Sequence, residues 1–150
     1  MDVKKLLSSF NAHKVVYVVI GAAAFPVHGF DRATQDIDLF IQPTRENAAR
    51  AWEALRAVGY DVTDLTLDDM LQKKILFRKY ILDTDVHPFV KGTTWQAVWK
   101  KRVRSRIEGI PAYFASLDDL IRMKQAAGRP KDLEDLKYLN EIRRQLKNKK

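Results

Sequence analysis

Six consecutive β-branched and aromatic residues, Val15-Val16-Tyr17-Val18-Val19-Ile20, run directly into Gly21. With no polar residue at alternate positions, such a run reads as a strand buried on both faces, and the sheet that contains it needs helices on two sides. An all-helical bundle is excluded. Gly21 stops the run, and Ala22-Ala23-Ala24-Phe25 begins a helical piece that Pro26 and Gly29 keep short. Fifteen residues after Gly21, Asp36-Ile37-Asp38-Leu39-Phe40-Ile41 reads as a second strand.

The remaining elements follow from local signals. Residues 3–13 read as a short amphipathic helix. Thr44 is placed to cap a helix from about Arg45 to Val58, with Gly59 beyond its end and Ala48, Trp52, Leu55 and Val58 as its apolar stripe. Ile75 to Val90 holds further strand material, with Asp83-Thr84 as a turn or bend. Trp95, Val98, Trp99 and Val103 fall at helical spacing and predict the inward face of a basic helix. Gly109 to Ala115 predicts a short strand. Ser116-Leu117-Asp118-Asp119 opens a helix that Gly128 ends. Pro130 suits the first turn of a last helix, with Leu133, Leu136, Leu139, Ile142 and Leu146 on one side. The expected fold is α/β (α+β), a small mixed β-sheet flanked by helices with a helical C-terminal end. No repeat or linker interrupts the chain, so one domain over residues 1–150 is expected, with a core at about 15–115 and C-terminal helices at about 116–147.

Composition narrows the function classes. A chain of 150 residues, 46% of them hydrophobic, can form a core without a covalent staple. The absence of cysteine excludes disulfides, thiolate metal sites and a cysteine nucleophile. The longest apolar run, Val15 to Val27, contains Gly and Pro and is shorter than the ~18 residues of a membrane span. The first residues lack a secretory pattern, so a cytoplasmic protein is expected, without a membrane partner. The net charge of +8 is uneven: residues 1–99 carry 12 basic and 12 acidic side chains, and residues 100–150 carry 15 and 7. Lys100-Lys101-Arg102-Val103-Arg104-Ser105-Arg106 and the tail from Arg143 to Lys150 hold most of that excess. Such clusters attract phosphate-bearing partners, or they form a solvated helix face and a terminal tail.

The chemistry concentrates around Gly21 and Asp36-Ile37-Asp38. Side chains two apart on a strand share a face, so both carboxylates project together with Cα atoms about 6.5–7 Å apart. Two like charges so placed call for a cation, either a divalent metal ion or the Arg32 guanidinium. Gly21 lets the backbone approach closely, and free N–H groups at a helix start receive phosphate. Asp85, in Ile81-Leu82-Asp83-Thr84-Asp85-Val86-His87-Pro88, is the third acidic candidate if its strand neighbours the first two aspartates. Asp83 competes with it but sits in the expected turn. His87 is either a supporting group near the site or a surface histidine. His28 contacts substrate or caps the short helix.

These residues resemble the nucleotidyltransferase (polymerase β-like) superfamily. The shared mark is Gly-Gly or Gly-Ser at a helix start, Asp-x-Asp on the next strand, and a later carboxylate. Here it reads Gly21-Ala22, then Arg32-Ala33-Thr34-Gln35-Asp36-Ile37-Asp38-Leu39, then Asp85. Gly21-Ala22-Ala23-Ala24, His28-Gly29 and the block from Lys124 through Arg129 and Asp132 to Asp135 are similar to the small bacterial AbiEii-like members, which occur in toxin–antitoxin and phage-defence loci. Ala22 departs from the pattern: it keeps the backbone N–H but lacks a serine hydroxyl. The resemblance implies transfer of a nucleoside monophosphate from a nucleoside triphosphate with release of pyrophosphate. It assigns Asp36, Asp38 and Asp85 to catalysis and to Mg²⁺ or Mn²⁺, and Gly21, Ala22, Arg32, Lys124 and Arg129 to the nucleotide. Implied partners are a nucleoside triphosphate and an RNA such as tRNA, a small molecule, or a cognate toxin or antitoxin protein. A non-catalytic nucleotide-binding or protein-interaction module, or a basic nucleic-acid-binding domain, is the alternative.

Overall fold

The apolar run folds into β1 (Tyr17–Ile20), whose four residues are all buried. The structure is a computed structural model that describes residues 2–32, 34–80 and 82–149. Met1, Ala33 of the Arg32–Leu39 motif, Ile81 ahead of Asp85, and Lys150 of the tail lie outside the described residues. Before β1 comes α1 (Val3–Ala12), and after it a 3-10 segment, Gly21–His28, then β2 (Asp36–Ile41) and α2 (Arg45–Ala57). The chain continues through α3 (Leu67–Gln72), β3 (Ile75–Phe77), β4 (Asp83–His87), α4 (Trp95–Lys100), β5 (Val103–Ile107) and β6 (Ile110–Phe114). It ends in α5 (Leu117–Ala127) and α6 (Pro130–Asn148).

The strands form a six-stranded mixed sheet in the order β3-β4-β2-β1-β6-β5. β2 runs antiparallel to β1 and parallel to β4, β1 runs parallel to β6, and β3 and β5 are the antiparallel edges. Residues paired directly across strands share a face of the sheet. One face therefore carries Leu39, Ile41, Tyr17, Val86 and Phe114, where Phe10 of α1 meets Tyr17 edge-on at 5.3 Å. The opposite face carries Asp36, Asp38, Phe40, Asp83, Asp85 and His87, and at the far edge Tyr113 and Arg104. α4 lies on this second face: Trp95 packs edge-on to Phe40 at 5.1 Å, and Trp99 meets Tyr113 at 5.3 Å.

Asn47 on α2 fixes the entry to β1. Its Oδ1 accepts from Val16 N at 2.8 Å, and its Nδ2 donates to Val16 O at 2.8 Å and to Gln42 O at 3.0 Å. The side chain is buried, so Asn47→Ala leaves Val16 N without a partner, while Val16 O and Gln42 O keep Gln42 N and Thr44 N, and is expected to cost about 1–3 kcal/mol in urea denaturation. A loss within ~0.5 kcal/mol, the range of ordinary surface changes, would show that water replaces these bonds.

Several local expectations differ from the structure. Asp83-Thr84 is strand, not turn, because Thr84 is buried with its hydroxyl 2.6 Å from that of Tyr60. The basic run is not a helix: α4 ends at Lys100, and Val103 to Ile107 pair with β6 as an edge strand. On α2 the core side is Ala48, Ala51, Ala54 and Leu55, while Trp52 sits at the margin and donates to Leu65 O. On α6 Leu133 and Leu146 are exposed, and Asp132 and Asp135 are buried in their place by ion pairs. The short helix α3 had a legible start, since Thr66 and Asp69 form a capping box.

Candidate active site

Two turns of local geometry bring the acidic residues under the 3-10 segment. Gly21 follows β1 directly with φ +69°, a left-handed conformation that side chains disfavour. A Cβ there would lie 2.6 Å from Asp38 Oδ2, so only glycine lets the segment start this close to the carboxylate. No side chain caps the segment, which leaves the N–H groups at its start, Ala22 included, to other partners.

The parallel register sets Asp38 opposite Asp85 and Asp36 opposite Asp83 on the same face. Ligand atoms of Asp38, Asp85 and His87 all lie within 4.8 Å of one another. His87 Nε2 donates to Asp38 Oδ1 at 2.8 Å, because a carboxylate can only accept. With that nitrogen carrying its proton, His87 orients Asp38, and the oxygens of Asp38 and Asp85 are what a cation would meet. Asp36 is exposed at the start of β2 and falls outside that 4.8 Å group. Oxygen donors from few carboxylates, partly open to water, fit a hard divalent ion that keeps several waters.

The cation that faces these strands is Arg78, just after β3. Its guanidinium pairs with Asp85, and Asp85, Asp83 and Asp36 together hold it above the usual arginine pKa. Sequence reasoning missed Arg78, since nothing in Phe77-Arg78-Lys79 marks it; only the β3–β4 register does. Arg32 takes no part in that cluster and pairs with Asp135 on α6. His28 Nε2 lies 2.8 Å from Ala115 O and ties the 3-10 segment to the start of α5.

Lys124 and Arg129 come from α5 and the residue before α6. Lys124 Nζ reaches Asp132 at 3.1 Å and Asp135 at 3.2 Å, and Arg129 Nε donates to Asp132 Oδ2 at 2.8 Å. The Arg129 guanidinium and Lys124 hold the Asp132 carboxyl well below the usual carboxylate range despite its burial. These pairs fix both cations at the wall of a cavity of about 480 Å³ that also contains Gly21, Asp38, His87, Lys74 and Lys91. Phe25, Leu120 and Met123 form its apolar wall, and Phe89, 61% exposed, stands at its mouth. The loop carrying Phe89 and Lys91 rests on α5 through Gly92, where a Cβ would meet Arg122 O at 2.6 Å. One carboxylate, Asp38, and four cations line this cavity, a charge pattern that suits a polyphosphate whose divalent ion Asp38 and the neighbouring Asp85 would hold.

Among the described residues no helix is long and apolar enough to cross a membrane. No curated protein matches the chain. Among solved structures it is similar to the lincosamide antibiotic adenylyltransferase LnuA with lincomycin bound, at TM-score 0.64 and 17% identity over 95% of this chain and 98% of that one. It is also similar to a protein of Thermotoga maritima assigned as a nucleotidyltransferase, at TM-score 0.53 and 20% identity over 92% and 90%. Identities this low speak for the shared fold. Residues 1–146 match the model of a family described as nucleotidyltransferases of unknown function, DUF6036. With nearly its whole length inside that match and the mixed sheet of its structural neighbours, the chain belongs to the DUF6036 family of nucleotidyltransferases.

Proposed function

We propose that this chain acts in the cytoplasm as a single nucleotidyltransferase domain. In this reading it moves a nucleoside monophosphate from a nucleoside triphosphate to a hydroxyl acceptor, with Mg²⁺ or Mn²⁺ required. The observation that carries the proposal is the in-register pair Asp38 and Asp85, beneath Gly21 and beside a cavity rimmed by Lys74, Lys91, Lys124 and Arg129. Asp38 and Asp85 would hold the ion, with Asp36 on the same face completing the set. When bound, a divalent ion supplies charge neutralisation at the triphosphate.

The side chains divide the remaining work. Backbone N–H groups at Gly21 and Ala22 receive phosphate oxygens, and the loss of a serine hydroxyl at Ala22 leaves that role to the backbone. Lys124 and Arg129 steady the leaving pyrophosphate, held in place by Asp132 and Asp135. Arg32 also pairs with Asp135 and helps to set its position. His87 keeps Asp38 in one rotamer. Asp85 takes the proton of the acceptor hydroxyl as that oxygen bonds to the α-phosphorus and the bond from this phosphorus to the bridging α,β-oxygen breaks. The acceptor is a hydroxyl on an RNA such as tRNA, on a partner protein, or on a small molecule, as the antibiotic bound to LnuA suggests for that class.

One observation favours a second reading, a nucleotide-binding or protein-interaction module of a toxin–antitoxin pair without catalysis. Arg78 already neutralises Asp85, the group assigned to the proton. Incubation with α-labelled nucleoside triphosphates, Mg²⁺, total tRNA and cell lysate separates the two. Label in one RNA, protein or small-molecule product is the expected result. Nucleotide binding by calorimetry with no labelled product under any of these conditions would leave the module reading.

A further inference from the structure

We infer that the edge strand β5 and the end of α4 form a docking surface for single-stranded RNA on the same face of the sheet as the acidic cluster. As the site of an acceptor strand it rests on the transfer reaction proposed above; as a binding surface it stands alone. Lys100, Lys101, Arg104 and Arg106 are exposed there, and among the described residues none of them forms an ion pair. Most other arginines of the chain do: Arg32, Arg45, Arg56, Arg78, Arg122, Arg129, Arg143 and Arg144 each meet a carboxylate. Many lysines elsewhere are likewise without an ion pair among the described residues, so what sets this segment apart is its clustering of such cations, the pattern that phosphate backbones recognise through counterion release.

Beside the strip lies a cavity of about 380 Å³ lined by Asn11, Val16, Trp99, Arg104, Pro111 and Tyr113 among others. Its aromatic side is held rigid from within. The Arg102 guanidinium stacks over Trp99 at 3.8 Å and over Tyr113 at 4.6 Å, and its NH1 donates to Trp99 O at 2.8 Å. Arg102 Nε is buried with no hydrogen-bond partner. The faces of Trp99 are covered by Arg102 and by Trp95, so a base would meet the ring edges and Pro111, with the exposed Arg104 guanidinium beside it. A pocket edged by a cation suits unpaired bases and their backbone, and RNA recognition targets such single-stranded segments and ends. Charges on an edge strand also block unwanted strand pairing, but that purpose requires neither a single sign nor a pocket.

The position relative to the acids gives the surface its meaning. Arg104 pairs with Tyr113 and shares the face of Asp38. β5 is three strand spacings from β2, which is about 14 Å. Because α4 is seated on that face between them, an RNA docked along β5 passes round the end of α4 to bring a nucleotide a few steps away to Asp38 and Asp85.

Fluorescence anisotropy of a short labelled polyuridine RNA over a range of KCl, without nucleotide or metal, tests the surface. The double variant Arg104→Ala/Arg106→Ala changes two exposed side chains and should fold normally, which a thermal melt checks. Its affinity should fall about tenfold or more, and its log–log salt slope should shrink by about 1.4, two single-strand phosphate contacts. Nucleotide binding by calorimetry should be unchanged in the same variant, so failure here and failure of the transfer reading are separable. Unchanged affinity and slope would overturn the inference. Equal binding of the deoxyuridine oligomer, or tighter binding of polyglutamate, would overturn it in favour of DNA or an acidic protein.

Discussion

Asp38→Asn is expected to lower nucleotidyl transfer by on the order of 10²–10³-fold or more while the protein stays folded, the range seen when one preorganised electrostatic group is lost. The substitution keeps the shape of the side chain, and His87 Nε2 can still donate to the amide oxygen, so the contact beneath Gly21 survives. What disappears is a negative charge among oxygens that would face a bound cation. Initial rates with α-labelled nucleotide, taken beside a Mn²⁺ titration, should show both the rate and the metal affinity falling. Asp85→Asn should do the same and also release Arg78, which loses its partner. Wild-type transfer by Asp38→Asn would remove the acidic pair from the reaction.

The second large effect is on stability. Asp132 is fully buried and is the carboxylate on which Lys124 and Arg129 converge. Lys124 is itself only 17% exposed, so Asp132→Ala leaves a mostly buried ammonium with Asp135 as its remaining acidic partner. Breaking a buried pair on one side costs about 3–5 kcal/mol, which for a chain of this size lowers Tm by roughly 6–20 °C. The pH dependence has a defined sign. The folded carboxyl is held below its unfolded value, so its contribution is complete above the unfolded value of about 3.9 and declines as pH falls toward the folded one. Thermal melts should show wild type losing stability below about pH 4 more steeply than Asp132→Asn, which has no proton to take up there. Parallel acid limbs would mean that the Asp132 proton is not coupled to folding.

How legible the molecule was in its sequence depended on whether a signal was local. β1, β2, the glycine turn and the caps at Thr44 and Ser116 are written in neighbouring residues, and they formed where the pattern put them. Arg78 and the His87–Asp38 bond come from strand register, which no short motif encodes. The basic run misled because Trp95, Val98, Trp99 and Val103 keep helical spacing across the true break at Lys101-Arg102; pairing with β6 outweighed that period. The leucines of α6 misled for another reason. Ion pairs to α5 and to the residues after the 3-10 segment turned Asp132 and Asp135 inward, and burial followed charge. Lys124 and Arg129, which the resemblance assigns to the nucleotide, pair with these acids, and both line the cavity.

The cleft draws its positive charge from two parts of the chain: Lys74 and Lys91 flank β4, whereas Lys124 and Arg129 belong to residues synthesised after the whole sheet. A nascent polypeptide that has emerged only as far as Phe114 has the sheet and its carboxylates but lacks the wall formed by Leu120, Met123, Lys124 and Arg129. The cavity is therefore complete only once α5 and the start of α6 have docked on the sheet.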